Sequence, residues 1–171
     1  MDSSALSQRY YNRALYFLSP RPRSEKEIRE KLQKKPRGKK AVEINLEIIE
    51  EVINKLKAQN LINDTEFAQW WIEQRTVFRP KGIRVIKMEL RQKGISEDII
   101  KATINPSALL RAGSSQLTVS NEIDRAKKLV KKRIDRYKNL PKQEIYQKLS
   151  QFLAYRGFDY DIISDVLKEV N

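Results

Sequence analysis

The sequence predicts an all-α protein of three tandem three-helix repeats forming an elongated, curved array, and three observations carry that expectation. Apolar residues recur at three- and four-residue spacing almost throughout, which places them on one face of a helix. Two segments superpose without a gap. Ile86, Leu90, Gly94, Ile95, Ile99 and Ile100 stand at −8, −4, 0, +1, +5 and +6 from a glycine, and Leu149, Leu153, Gly157, Phe158, Ile162 and Ile163 stand at the same offsets. A third copy lies near the start, where Ile28 and Leu32 match Ile86 and Leu90, and Ile48-Ile49 match Ile99-Ile100.

Each copy reads as helix, tight turn, helix. Glycine supplies the left-handed stop, and Ser96 or Asp159 then caps the next helix. In the first copy Leu32 to Ile48 spans sixteen residues where Leu90 to Ile99 spans nine. The surplus falls in a helix-breaking basic insertion loop at 34–45, around Lys34-Lys35-Pro36-Arg37-Gly38-Lys39-Lys40. One further amphipathic helix precedes each copy: Gln8 to Leu18, Thr65 to Phe78, and Glu122 to Tyr137. Ser24-x-x-Glu27 and Asn63-x-x-Glu66 have the capping-box spacing, and Asn60 suits a left-handed helix end. The repeats therefore fall at 1–62, 63–105 and 121–171. A linker at 106–120 is expected because that stretch is poor in charge, holds Pro106 and Gly113, and has no sustained period. Units this small bury little surface alone, so neighbours are expected to share contacts or the array to flex.

Composition narrows the function. Lysine and arginine number 35 against 22 acidic residues, giving a net charge of +13 and a preference for a polyanionic or acidic partner. Histidine and cysteine are absent, which removes thiolate and imidazole metal ligands, the usual nucleophile–base pairs and the commonest proton shuttle. No glycines are grouped as a phosphate-cradling loop. A non-enzymatic protein without cofactors is expected. No apolar run approaches the length of a membrane span, so a cytoplasmic, monomeric protein without a membrane partner is the expectation.

From Leu61 through Ile104 the residues resemble the RecX family: Asn63-Asp64-x-x-Phe67-Ala68, then Arg75, Gly82, and Leu90-Arg91-x-Lys93-Gly94-Ile95. Ala14-Leu15-x-x-Leu18 followed by Arg23-Ser24-x-x-Glu27-Ile28 is similar to that family's opening segment. The resemblance implies binding to RecA, lodging in the groove of its filament on single-stranded DNA, and inhibition of its recombinase, ATPase and co-protease activities. Asn60 stands where such proteins often have glycine, and the basic insertion and linker give this chain its own spacing.

Two basic runs are the candidate contact sites for RecA or DNA. The central one is Arg75, Arg79, Lys81, Arg84, Lys87, Arg91 and Lys93, opposed within its window only by Glu89. Arg84, Lys87 and Arg91 fall on one helix face, with Ile83, Ile86 and Leu90 on another. The second run is Arg125, Lys127, Lys128, Lys131, Lys132, Arg133, Arg136, Lys138 and Lys142, with Asp135 the only acid between them; Arg125, Lys128, Lys131, Lys132 and Arg136 fall on the arc opposite Ile123, Ala126, Leu129, Val130, Ile134 and Tyr137. A merely solvated surface would share both patterns, as would, for the second, a helix lying on a membrane. Phe67, Trp71 and Phe78 are expected in the core, with Trp70 at a seam between repeats; base stacking by the tryptophans is the competing reading. Glu50-Glu51, Glu97-Asp98 and Asp159/Asp161 read as helix-start charges rather than a catalytic pair. The alternative function is direct, sequence-nonspecific binding of single-stranded DNA or RNA.

Overall fold

The computed structural model describes residues 3–34, 45–104 and 119–169. Among them only helices and turns occur. The first repeat comprises α1 (Ser3–Leu18), α2 (Glu25–Gln33) and α3 (Leu46–Ala58). The second comprises α4 (Asp64–Glu73), which runs into a π-helical turn (Gln74–Phe78), then α5 (Ile83–Gln92) and α6 (Glu97–Ile104). The third comprises α7 (Val119–Ile134), which ends in a 3-10 turn (Asp135–Tyr137), then α8 (Lys142–Tyr155) and α9 (Tyr160–Lys168). Most of the insertion loop and of the linker lies outside the described residues.

Each repeat has its own core. Ala14, Ile28, Leu32, Ile49, Ile53 and Leu56 fill the first. Phe67, Ala68, Ile86, Leu90 and Ile100 fill the second, and Ala126, Val130, Leu149, Leu153, Phe158 and Val166 the third. The three-helix pattern follows from the predicted apolar stripes, closed by the predicted turns: Asn60, Gly94 and Gly157 have φ of 54°, 83° and 85°.

The repeats are joined by polar contacts, and the same joint is built twice. Ser24 and Gly82 each stand four residues before the first core isoleucine of their second helix, and Lys93 and Arg156 each precede a turn glycine. Ser24 Oγ donates to the Lys93 carbonyl at 2.7 Å, and the Gly82 N–H donates to the Arg156 carbonyl at 2.9 Å. One residue on, the Glu25 N–H donates to Asp64 Oδ1 at 2.9 Å and the Ile83 N–H to Glu122 Oε1 at 2.8 Å. In both joints a carboxylate from the next repeat therefore satisfies an otherwise orphaned N–H at a helix start. Burial pushes the Asp64 and Glu122 carboxyls above their ordinary range, against the lowering effect of the N–H that each accepts.

Ser24 also completes the predicted capping box, its Oγ accepting from the Glu27 N–H at 3.3 Å. Ser24→Ala removes the cap and a joint contact together, leaving the Lys93 carbonyl without its donor in a part-buried setting. A loss of about 2 kcal/mol in urea unfolding is the expected result.

Three expectations need correction. Phe78 is 70% exposed, outside the core, because the helix widens to π geometry from Gln74 and the side chains beyond turn away from the α-helical face. Asp159 occupies the N-cap position of α9 but makes no side-chain cap hydrogen bond; its carboxylate lies 3.8 Å from Arg84 Nε. Glu50 lies a full turn inside α3 and pairs with Arg29 of α2, so it does not serve the helix start.

Candidate functional site

The two basic runs differ sharply in how much of their charge is free. In the central run the partly buried Glu89 collects three donors: Trp71 Nε1 at 3.0 Å, Arg75 Nε at 2.7 Å, and Lys81 Nζ. The Arg75 guanidinium also lies 4.2 Å from the Trp71 ring centroid. Burial works to raise the Glu89 carboxyl, but the hydrogen bonds from Lys81 and Arg75 outweigh it and hold the group below the usual glutamate range. These residues form a strut between α4, its π turn and α5.

Other members of the central run are also engaged. Lys93 Nζ reaches across the first joint to Glu27 Oε1 at 2.6 Å, where Glu27 also receives Arg21. Arg91 makes a two-pronged contact with Glu97, at 2.8 and 3.0 Å. Arg84 faces Asp159 across the second joint. Arg84, Lys87 and Arg91 do share α5, with Ile86 and Leu90 buried on its other side. Only Arg79 and Lys87 of this run lack a carboxylate within salt-bridge distance among the described residues.

The third repeat is the contrast. Lys128, Lys131 and Lys132 on α7 and Arg136 in its 3-10 turn are exposed, and none has an acidic partner among the described residues. Their helix is anchored from beneath by Ala126 and Val130, both buried, with Ile123, Leu129 and Tyr137 packed beside them. Four exposed positive charges thus stand on a helix packed from beneath, where an anion meets no salt-bridge competitor among the described residues. Arg125 does not join them. It is half-buried near the second joint, its Nε and one terminal nitrogen have no hydrogen-bond partner, and burial lowers its pKa.

Family comparison decides what kind of protein carries this ridge. Residues 11–37, 63–104 and 120–167 match the families described as the first, second and third three-helix domains of RecX. The crystal structure of RecX from Lactobacillus salivarius superposes with a TM-score of 0.73 at 31% identity, covering 95% of each chain. The chain belongs to the RecX family. The protein named regulatory protein RecX in Clostridioides difficile strain 630 is 40% identical over 159 residues, which cover 93% of this chain and 66% of that protein. Its counterpart in Bacillus velezensis is 36% identical over 93% of this chain and 54% of that protein. The chain thus spans between half and two thirds of the length of these RecX relatives. Among its described residues no helix is long and apolar enough to cross a membrane.

Within this RecX fold, several working residues escape a local reading of sequence. Asp64 and Glu122 tie successive repeats, and Glu89 orders the central run. The available signals were Glu89 as the lone acid in its window and Gly82 immediately before a helix.

Glu89→Gln tests the strut. Because the folded pKa lies below the unfolded value of about 4.3, the carboxylate adds stability that is present above that pH and is lost as pH falls through the folded value. The variant is expected to lose about 1–3 kcal/mol at neutral pH and to show a flatter acid limb, followed by tryptophan fluorescence.

Proposed function

We propose that this chain is a negative modulator of the RecA recombinase. It lodges in the groove of the RecA filament on single-stranded DNA and inhibits recombinase, ATPase and co-protease activities. It acts as a cytoplasmic monomer, by binding rather than catalysis. The observation that carries the reading is the unopposed ridge of Lys128, Lys131, Lys132 and Arg136 on a member of the RecX family. Arg79 and Lys87 add free charge on the second repeat, while Arg75, Lys81, Arg84, Arg91 and Lys93 reach an external anion only by exchanging an internal partner.

The mechanism follows from the joints. Three small domains with separate cores hold their basic surfaces at fixed spacing, so the first contact raises the effective concentration of the next. Several weak contacts to a repeating polymer then act as one strong one, and a ligand bridging successive subunits opposes the rearrangement coupled to ATP turnover. The test is to add the purified chain to preformed RecA filaments and follow ATP hydrolysis. Inhibition below one chain per RecA subunit is expected; undiminished hydrolysis at excess chain rejects the reading.

The unpartnered ridge also favours a second reading, direct nonspecific binding to single-stranded DNA or RNA. In that case binding to bare strands weakens with salt with a slope near −0.7 per neutralised phosphate, and RecA adds nothing to affinity.

A further inference from the structure

The second joint lacks the acid that neutralises the first. Arg21-Pro22-Arg23-Ser24 leads into α2, and Arg79-Pro80-Lys81-Gly82 leads into α5 at the same distance from the first core isoleucine. In that alignment Arg21 corresponds to Arg79, and Glu27 to Val85. Counted from the turn glycine, Lys93 corresponds to Arg156 and Gln92 to Tyr155. In the first joint Glu27 takes both cations, Arg21 at 2.9 Å and Lys93 at 2.6 Å. In the second, Val85 stands in that place and packs against Gly157. Neither Arg79 nor Arg156 has a carboxylate within salt-bridge distance among the described residues.

Positive charge is gathered at this joint rather than matched. The guanidiniums of Arg133 and Arg156 lie 4.2 and 5.1 Å from the centroid of the same ring, that of Phe152. Their hydrogen-bond partners are neutral: Arg133 Nε donates to the Tyr137 hydroxyl at 3.1 Å, and Arg156 Nη1 to the Pro80 carbonyl at 3.0 Å. The acid closest in sequence to Arg156, Asp159, faces Arg84 instead. Like charges held against one ring without a counter-charge favour an anion from outside.

Aromatic rings stand beside these cations. Phe78, 70% exposed, precedes Arg79, and Tyr155, 90% exposed, precedes Arg156. Base stacking by the tryptophans has no such access, because Trp71 is buried and donates to Glu89 while Trp70 packs beside the second core. A carboxylate side chain would offset one guanidinium and leave the rings uncovered. A single strand brings a phosphate with every residue and an unpaired base next to it, which suits guanidiniums beside open rings.

We propose that the second joint is a binding site for single-stranded nucleic acid. Arg79, Arg133 and Arg156 hold backbone phosphate where the counterpart of Glu27 is missing, and Phe78 and Tyr155 stack the adjoining bases. Arg136 of the ridge stands three residues beyond Arg133, so a strand lying along the ridge runs on to the joint. The site deepens the direct-binding reading above and rests on it.

The test compares oligo(dT) with an abasic strand of equal length over a salt series, with helicity followed by circular dichroism. Val85→Glu restores the acid of the first joint, and Val85→Gln adds the same bulk without charge. V85E is expected to bind both strands about tenfold more weakly and with a shallower salt slope, and V85Q to bind them as the wild type does. F78A/Y155A trims only exposed rings. It is expected to lose about tenfold or more on oligo(dT), at the wild-type salt slope, and nothing on the abasic strand. Wild-type affinity for oligo(dT) in folded F78A/Y155A overturns the site whether or not V85E folds, and so does an equal loss on the abasic strand. Equal weakening by V85E and V85Q removes the phosphate contact. A loss by F78A/Y155A confined to RecA filaments, with bare strands bound as before, rejects the strand as occupant in favour of protein. Each of these results leaves the direct-binding reading to stand on the ridge. Failure of the folded wild-type chain to bind oligo(dT) in dilute salt overturns that reading and the joint site together.

Discussion

Reversal of Lys128, Lys131, Lys132 and Arg136 to glutamate is expected to raise the concentration needed to inhibit RecA ATPase by on the order of a hundredfold or more. The size of the effect comes from what these side chains do not do. None is held by a carboxylate among the described residues, and the core of their helix lies on the opposite arc, so the substitution removes no internal contact. Circular dichroism should be unchanged. The comparable reversal R84E/K87E/R91E is a less clean experiment, because it also breaks the contacts to Asp159 and Glu97 and sets like charges against them. Reversing Arg75 and Lys81 would strip Glu89 of two of its donors and test stability more than binding. Retained inhibition by the folded ridge variant would remove α7 from the interface.

Gly82→Ala is expected to have the second largest effect, through geometry rather than charge. A methyl group at that position would lie 2.0 Å from the Gly157 carbonyl oxygen, 2.3 Å from its carbon and 2.5 Å from the Phe158 nitrogen. All three are backbone atoms, so no rotamer change relieves the overlap, and the second and third repeats must separate. The Gly82 to Arg156 bond would break with them, and with it the seating of Arg156 on the Pro80 carbonyl and of Ile83 on Glu122. The cores on either side remain, because Leu90 and Leu149 belong to separate clusters. Helicity is therefore expected to be nearly retained while the radius of gyration in solution scattering rises. Inhibition of RecA should fall by roughly tenfold as the repeats lose their mutual positioning. Gly94→Ala strains the first joint in a similar way: its methyl would lie 2.7 Å from Lys26 Cβ, an atom held by the α2 backbone, and φ of 83° adds strain of about 1 kcal/mol. An unchanged radius of gyration in Gly82→Ala would show that the joint yields without parting.

The fold was legible in the sequence wherever one residue's environment is set by its near neighbours. Ile28, Leu32, Ile86, Leu90, Leu149 and Leu153 are buried because four-residue spacing on a helix leaves them no other shared face. Gly94 and Gly157 take the left-handed conformation for the same local reason, and so does Asn60, which tolerates it better than most side chains. Ser24 forms its capping box as the spacing demanded. Phe78 was not legible, because a π turn alters the rotation per residue and apolar periodicity carries no mark of it.

The candidate site was less legible than the fold, and charge is the reason. Counting within a window makes the central run strongly positive, yet Lys93 is matched by Glu27, 66 residues away, and Arg84 by Asp159 in another repeat. Which lysines remain free depends on how repeats dock, which depends in turn on Gly82, Asp64 and Glu122. The second run kept its charge because α7 presents it away from every neighbouring acid except at Lys127 and Lys138, which pair with Glu169 and Asp135. Arg125 sits in the same sequence cluster but is half-buried near Glu122, a distinction that a helical wheel of α7 alone does not make.

The most direct measurement is equilibrium binding of the fluorescently labelled chain to RecA assembled on single-stranded DNA, by anisotropy, across a salt series. Saturable binding in dilute salt is predicted, with the logarithm of affinity falling linearly with the logarithm of salt and a shallower slope once Lys128, Lys131, Lys132 and Arg136 are neutralised. Absence of association in dilute salt, from a chain that circular dichroism shows to be fully helical, would contradict it.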